Sequence, residues 1–315
     1  MRGRIFTTDH KIYDLPPLLS WTVVHTGTVP CDSYSATFLY QPEMAPVLTW
    51  AGSFLGSGER GELVARGIVD EYTIDLDSGG TTATVSGRGA AARLLDNETR
   101  PVTYEAATLA EIIRCHVTPY GVATGEIADV RANSVYTAAA GISQWKVLEG
   151  FCRTYGGFSP RFSTSGALLA APERDSGKRL VIDDGSPVLS CSWREDYYGV
   201  LTEALVIDKT RNASYSVLNP EMTAKGGQCR RVIYTPGQST WDAMRYTGQY
   251  QIDRSREDML VVAVTMPGSF LAFPGDRVLL NLNRLGLSGT FRVAETENRF
   301  SAREGATAKL TLKKG

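Results

Sequence analysis

Three histidines, five scattered cysteines and a net charge of −1 leave little room for several classes of function. His10, His25 and His116 form no His-x-x-x-His metal pair, and no Gly-x-Ser-x-Gly nucleophile turn occurs. Cys115 and His116 are adjacent, so on a helix they splay about 100° apart and make a poor catalytic dyad. Cys31, Cys115, Cys152, Cys191 and Cys229 contain no Cys-x-x-Cys, and their odd count suits reduced thiols better than a disulfide frame or zinc site. With 33 basic and 34 acidic residues there is no overall field to steer nucleic acid or an anionic membrane. No run approaches the roughly 18 apolar residues of a membrane span. The opening Met-Arg-Gly-Arg-Ile-Phe has no apolar signal core after it. Synthesis in a reducing cytoplasm is the expectation.

What the chain does have is alternation. At 315 residues and 43% hydrophobic it can build about two or three domains. Residues 20–40 read as two strands, with Ala36, Phe38 and Tyr40 on one face and Thr37 and Leu39 on the other. A strand is expected over 47–55, a turn over 56–61, one long strand over 62–75, and a return strand over 81–86 after the Gly79-Gly80 turn. The 56–61 tip lacks the Lys-Ser/Thr of a phosphate-binding loop. Thr108 and Glu111 form a capping box before a stripe of Leu109, Ile112, Ile113 and Val117, stopped by Pro119 and Gly121. A second helix is expected over 143–155, with Trp145, Leu148, Phe151, Cys152 and Tyr155 on one side and Gly156-Gly157 at its end. A hairpin over 158–171 and strands over 179–183 and 199–208 follow. Residues 211–220 read as a hairpin tip and 239–250 as a helix weakened by Gly248. Strand 260–266, a Phe273-Pro274-Gly275-Asp276 turn, alternating Val278, Leu280 and Leu282, and a hairpin over 289–312 complete the chain. The hairpins over 67–86 and 291–311 echo each other.

This pattern predicts a mainly β fold with an α+β insertion: two tube-like β-barrel domains flanking a helix-containing segment. The expected units are residues 1–98, residues 99–190 with two helices and a hairpin, and residues 191–315 with a small inserted subdomain around 210–258.

One stretch, Thr84-Val-Ser-Gly-Arg-Gly-Ala-Ala-Ala-Arg-Leu-Leu-Asp-Asn-Glu98, has two readings. Gly87-x-Gly89-x-x-Ala92 has the form of a dinucleotide-binding turn. Its flanks exclude that: the strand before it is half polar, the helix after it has room only to Asp96, and no apolar parallel strand follows. The alternative is a joint. Gly87 turns the chain with a positive φ, and Arg88 and Arg93 tether domains or subunits. The carboxylates Glu43, Asp70, Glu71, Asp183, Asp184, Glu195 and Asp196 sit in ordinary strand-end contexts, so no catalytic, cofactor-binding or metal-binding residue is assigned.

Val85-Ser-Gly-Arg-Gly-Ala-Ala-Ala-Arg-Leu-Leu-Asp96 resembles the S-G-R-x-x-x-A-x-L-x-D segment of phage baseplate hub proteins, the late control protein D family. Ala65-Arg-Gly-Ile-Val-Asp-Glu is similar to the strand preceding it in that family. The helices near 109–120 and 145–155 resemble its insertion, and Pro274-Gly275-Asp276-Arg-Val278 with the 289–313 hairpin resembles its last barrel. The resemblance covers roughly residues 60–315 and marks Gly87, Arg88, Gly89, Arg93, Asp96, Pro274, Gly275 and Asp276 as structural or interface candidates. It implies a homotrimer on the axis of a contractile tail, R-type bacteriocin or related injection machine. Such a trimer joins the hexameric tail tube, or a tube initiator, to a trimeric central spike, with baseplate wedge proteins as further neighbours. The chain ends at Gly315, so spike and cell-wall enzyme are expected on other chains. The rival reading is a carbohydrate- or receptor-binding tail module using Tyr197-Tyr198, or Trp241 with Tyr246 and Tyr250. A cell-wall hydrolase is third.

Overall fold

The computed structural model describes residues 1–27, 31–173, 177–235, 239–257 and 259–314. It is mainly β with few helices. The chain opens with β1 (Arg2–Thr7), β2 (Ile12–Asp14), β3 (Leu18–Thr26) and β4 (Ser33–Leu39). Period-2 alternation sets the last two: Trp21, Val23, Ala36 and Phe38 are buried, while Thr22, Ser35 and Thr37 line the other face. The strand expected over 47–55 is half right. Pro46 stands in the first turn of α1 (Ala45–Thr49), where its fixed φ favours a helix, and only then does β5 (Ala51–Ser57) begin.

The single long strand expected over 62–75 is two. β6 (Leu63–Ile68) pairs with β5, whereas β7 (Glu71–Asp77) pairs with β8 (Gly80–Arg88) in a different sheet. The change falls at Val69-Asp70, where the Val69 amide donates to Gly52 and the Asp70 amide to Ser86. An unbroken hydrophobic pattern cannot reveal that its partner changes.

α2 (Ala92–Leu95) leads to β9 (Val102–Tyr104), α3 (Leu109–His116), β10 (Thr124–Ile127), β11 (Tyr136–Ala138), α4 (Gln144–Phe151), β12 (Arg161–Phe162) and β13 (Leu168–Ala170). Half of the expected capping box is in place: Thr108 Oγ1 accepts from the Glu111 amide at 3.2 Å, while the Glu111 carboxylate faces Arg114. Ser143 caps α4 in the same way. Leu109, Ile112, Leu148, Phe151 and Leu168 fill one core between these elements. α4 runs on into a π-helical turn, Cys152–Gly156, ended by Gly157 at φ +70°.

β14 (Arg179–Asp183) and β15 (Ser190–Glu195) precede a small unit of β16 (Glu203–Asp208), β17 (Ala213–Leu218), α5 (Pro220–Ala224), β18 (Arg230–Tyr234) and α6 (Trp241–Arg256). The expected tip at 211–220 is mostly strand β17. Only its first residues are turn, with Asn212 in the left-handed region at φ +49°. The weakly expected helix is real and longer, because the bare Cα of Gly248 lets Val217 and Val206 pack onto α6. β19 (Leu260–Pro267), β20 (Arg277–Leu282), β21 (Leu287–Ser301) and β22 (Gly305–Lys314) finish the chain.

Among the described residues these strands form one ten-stranded sheet and several small ones. The main path runs β15-β19-β22-β21-β3-β4-β8-β7, and β20 and β14 branch from the first half of β21. A bulge between Val293 and Glu295 bends β21, so that its first half pairs with β20 and its second half with β3. Val262, Val264, Leu280, Leu310 and Leu312 are buried on the inner face, each contributing about 1.5–3 kcal/mol of transfer free energy. A second sheet, β2-β1-β5-β6, packs Ile5 and Phe54 against Tyr34 and Phe38.

Candidate assembly interface

Gly87 and Gly89 mark a crossing of sheets rather than a turn. Gly87 lies within β8, opposite Tyr34 of β4, and its φ is not positive, which corrects the turn expected there. A Cβ on Gly87 would stand 1.9 Å from the Ile68 carbonyl oxygen, and one on Gly67 would stand 2.2 Å from that of Arg88. Gly67 also bridges to Gly89. Glycine is required because two backbones touch where the end of β6 passes over the end of β8.

Arg88 holds this crossing to the helix beyond it. Nε and Nη2 donate to Asp70 at 2.8 and 2.9 Å, and Nη1 and Nη2 donate to Asp96 at 2.9 and 2.8 Å. The Arg88 guanidinium correspondingly holds the Asp96 carboxyl below the usual carboxylate range. Arg93 donates to the Tyr120 carbonyl at 3.3 Å, tying α2 to the turn after α3. Pro274, Gly275 and Asp276 make a turn with Gly275 at φ +93°. Asp276 accepts from the Phe273 amide at 2.9 Å, and the Gly275 amide donates to Val293 beside the β21 bulge. All eight candidate residues therefore sit at joints between elements of one chain.

Among the described residues, the two end strands of the main path, β7 and β15, each have one unpaired edge. β7 is exposed along its whole length. Tyr72, Ile74 and Leu76 continue the core-facing row of β8, yet Leu76 is 80% exposed. At the opposite end, Leu189, Trp193, Tyr197 and Tyr198 are exposed on and beside β15. Such long apolar edges are templates for pairing with another chain. On the polar face, β7 offers Glu71, Asp75 and Asp77, and the β15 end offers Arg194 with Lys313 two strands in.

The order of strands gives these edges a geometry. The main path divides into β15-β19-β22-β21 and β3-β4-β8-β7. Ranked by chain order, each half runs first, second, fourth, third. The halves are joined head to tail, the third strand of one (β21) beside the first of the other (β3). The echoing hairpins in the sequence, β7–β8 and β21–β22, occupy equivalent places. All eight strands alternate antiparallel. A third-strand edge, β7, can therefore lie antiparallel beside a first-strand edge, β15, of another copy with the alternation unbroken. The sequence contained these edge residues, but exposure of an apolar alternating strand leaves no mark in its pattern.

Buried ionisable groups cluster where the halves meet. Burial pushes His25 down to about 4, partly offset by its bond to Val64, and pushes Asp32 up to about 6 against the bond from the Thr26 amide. Separately, Tyr246 and Tyr250 of α6 line a cleft of about 330 Å³ with Trp145, Phe158, Phe162 and Asp253. Trp241 lies apart, against Tyr215 and Arg211.

No protein-family sequence model matches the chain, and no curated protein sequence does. Solved structures do. A tail protein from Neisseria meningitidis MC58 superposes with a TM-score of 0.80 at 16% identity, covering 99% of this chain and 96% of that one. The 43 kDa tail protein of prophage MuSo2 from Shewanella oneidensis gives 0.79 at 17%, covering 100% and 98%. An E. coli type VI secretion component, described as similar to the T4 tail proteins gp27 and gp5, gives 0.57 at 9%, covering 94% and 73%. The chain has the fold of phage tail proteins. It shares that fold along nearly its whole length with the Neisseria and Shewanella proteins.

Proposed function

We propose that this chain is a structural hub of a contractile-tail baseplate or related injection machine, a homotrimeric ring between the tail tube and a central spike. The observation that carries the reading is the head-to-tail repeat of two four-stranded units ending in complementary open edges. β7 of one copy lies beside β15 of the next, as β21 lies beside β3 within the chain. Tyr72, Ile74 and Leu76 then cover Trp193 and Leu189, and the acidic β7 face meets Arg194. Three copies give six similar units and 24 strands. At about 4.8 Å per strand, tilted up to roughly 40°, the ring of backbones is about 37–48 Å across. Six units suit a sixfold tube, and three chains suit a threefold spike. The likeness to tail proteins and to a type VI secretion component supports this role. The polar face, with Thr22, Ser35, Thr37, Thr84 and the Glu297–Lys309 pair, becomes the wall of the channel.

The test is cross-linking. Cysteines introduced at Leu76 and Leu189 in a chain whose exposed Cys115 and edge Cys191 are replaced by alanine should give disulfide-linked dimers and trimers on oxidation, whereas either introduced cysteine alone should not. Linkage absent under conditions where the full chain sediments as a trimer would reject this edge pairing.

A second reading, a carbohydrate-binding tail module, draws on the Tyr246–Tyr250 cleft. Tyr246→Ala should abolish retention on immobilised cell-wall glycan if that reading holds, and leave assembly untouched if it does not.

A further inference from the structure

Among the described residues, three buried side-chain polar atoms have no hydrogen-bond partner: His25 Nδ1, Thr296 Oγ1 and Asn298 Nδ2. They are neighbours. His25 of β3 pairs directly with Thr296 of β21, and Asn298 lies two residues further along the same face of β21. All three are at most 3% exposed, and they sit where the two four-stranded units join.

The hydrogen-bonding role of each atom follows from its neighbour. His25 Nε2 lies 2.8 Å from the Val64 carbonyl, which can only accept, so Nε2 carries the proton and Nδ1 is a bare acceptor. Asn298 Oδ1 accepts from the Phe270 amide at 2.6 Å, which fixes the amide and leaves Nδ2 as a donor. The Thr296 hydroxyl can do either. Phe270, held by that bond at φ +55°, closes the site with Phe273; both rings stand edge-on to His25, at 6.4 and 5.2 Å between centroids. Trp21 stacks on Phe270 at 5.3 Å.

We propose that His25, Thr296 and Asn298 form a buried water-binding site that bridges the two halves of the sheet. A water molecule accepts from Asn298, donates to His25 Nδ1 and completes its set with Thr296, a complement typical of internal waters. An anion would face the Nδ1 lone pair, and a cation would face the Asn298 N–H groups. A neutral donor–acceptor fits both. The surrounding charges are engaged elsewhere. Asp276 holds the Phe273 amide and pairs with Lys178 at 3.5 Å, and Asp32 holds the Thr26 amide. β6 contributes the Val64 carbonyl. Protonation of Nδ1 would remove the acceptor the water donates to, so the joint loosens in acid.

High-resolution crystallography of the full chain tests the site, with NMR of the His25 ring alongside. The expected result is one ordered water within about 3 Å of at least two of the three atoms, and a neutral Nε2–H tautomer at pH 7. Asn298→Asp keeps the bond to Phe270 but turns the donor towards His25 into a negative acceptor. It should raise the proton affinity of His25 at least tenfold, while Thr296→Val should lower water occupancy and leave the tautomer alone. Direct bonding among the three side chains with no density between them overturns the proposal. So does an Asn298→Asp chain whose His25 titration is unchanged; should that variant not fold, the wild-type density and the Thr296→Val occupancy still decide.

Discussion

Substituting Gly87 by alanine separates two explanations of the segment that joins the first β-rich part to the helical insertion. Were glycine needed for a left-handed turn, alanine would cost about 1–2 kcal/mol in strain. The structure demands more. The new Cβ would lie 1.9 Å from the Ile68 carbonyl oxygen and 2.9 Å from the Tyr34 hydroxyl, so β6 and β8 must separate. That separation breaks the 2.8 Å bond from Tyr34 to Ile68. Overpacking costs about 1–3 kcal/mol and an orphaned buried partner about 1–3 kcal/mol. Together they reach roughly 2–6 kcal/mol, a large share of a typical folding stability. Thermal unfolding followed by circular dichroism should show a drop in Tm of roughly 3–9 °C for a chain of this length. Gly305→Ala is the control: its φ is +76° with nothing within 4 Å of the added carbon, so only strain applies. A smaller loss for Gly87→Ala than for Gly305→Ala would refute the crossing.

Three further outcomes follow from other parts of the molecule. Leu76→Asp should abolish ring formation and leave the melting temperature of the dissociated single chain within about 1 °C, since Leu76 is 80% exposed there; light scattering, with calorimetry of both proteins at a dilution where they are monomeric, checks both. His25 has a folded pKa of about 4 against about 6.5 unfolded. Its contribution is present above pH 6.5 and is lost as pH falls through 4, up to about 3 kcal/mol. Asp32, raised to about 6, acts in the opposite sense, stabilising below pH 4 and losing that contribution as pH rises through 6. Asp32→Asn should therefore steepen the loss of stability on acidification between pH 6.5 and 4, as read by urea denaturation. Asp208→Ala should cost about 2–3 kcal/mol in the same assay, because the buried carboxylate accepts from the amides of Thr210, Arg211 and Ser239.

The sequence made much of this architecture readable. Local strand patterns located β3, β4, β8, β19, β20, β21 and β22, the Thr108–Glu111 pair and its apolar stripe located α3, and an apolar stripe located α4. The echo between the two long hairpins pointed to a repeated unit before any strand order was known. What stayed hidden is non-local. The hydrophobic run over 62–75 gives no sign that Ile68 and Glu71 belong to different sheets. Gly87 shows only that a side chain is unwelcome; whether a turn or a neighbouring backbone forbids it depends on Ile68. Leu76 and Trp193 carry no mark of exposure in the sequence, and only the end of the sheet reveals that no described residue of the chain pairs beyond their strands.

The head-to-tail ring is tested most directly by a cryo-electron microscopy map of the assembled protein at side-chain resolution. The expected map has threefold symmetry, a continuous wall of 24 antiparallel strands, and β7 of each copy beside β15 of the next with Leu76 buried near Leu189. A map in which β7 and β15 both face solvent, or in which the copies meet through other surfaces, would contradict it.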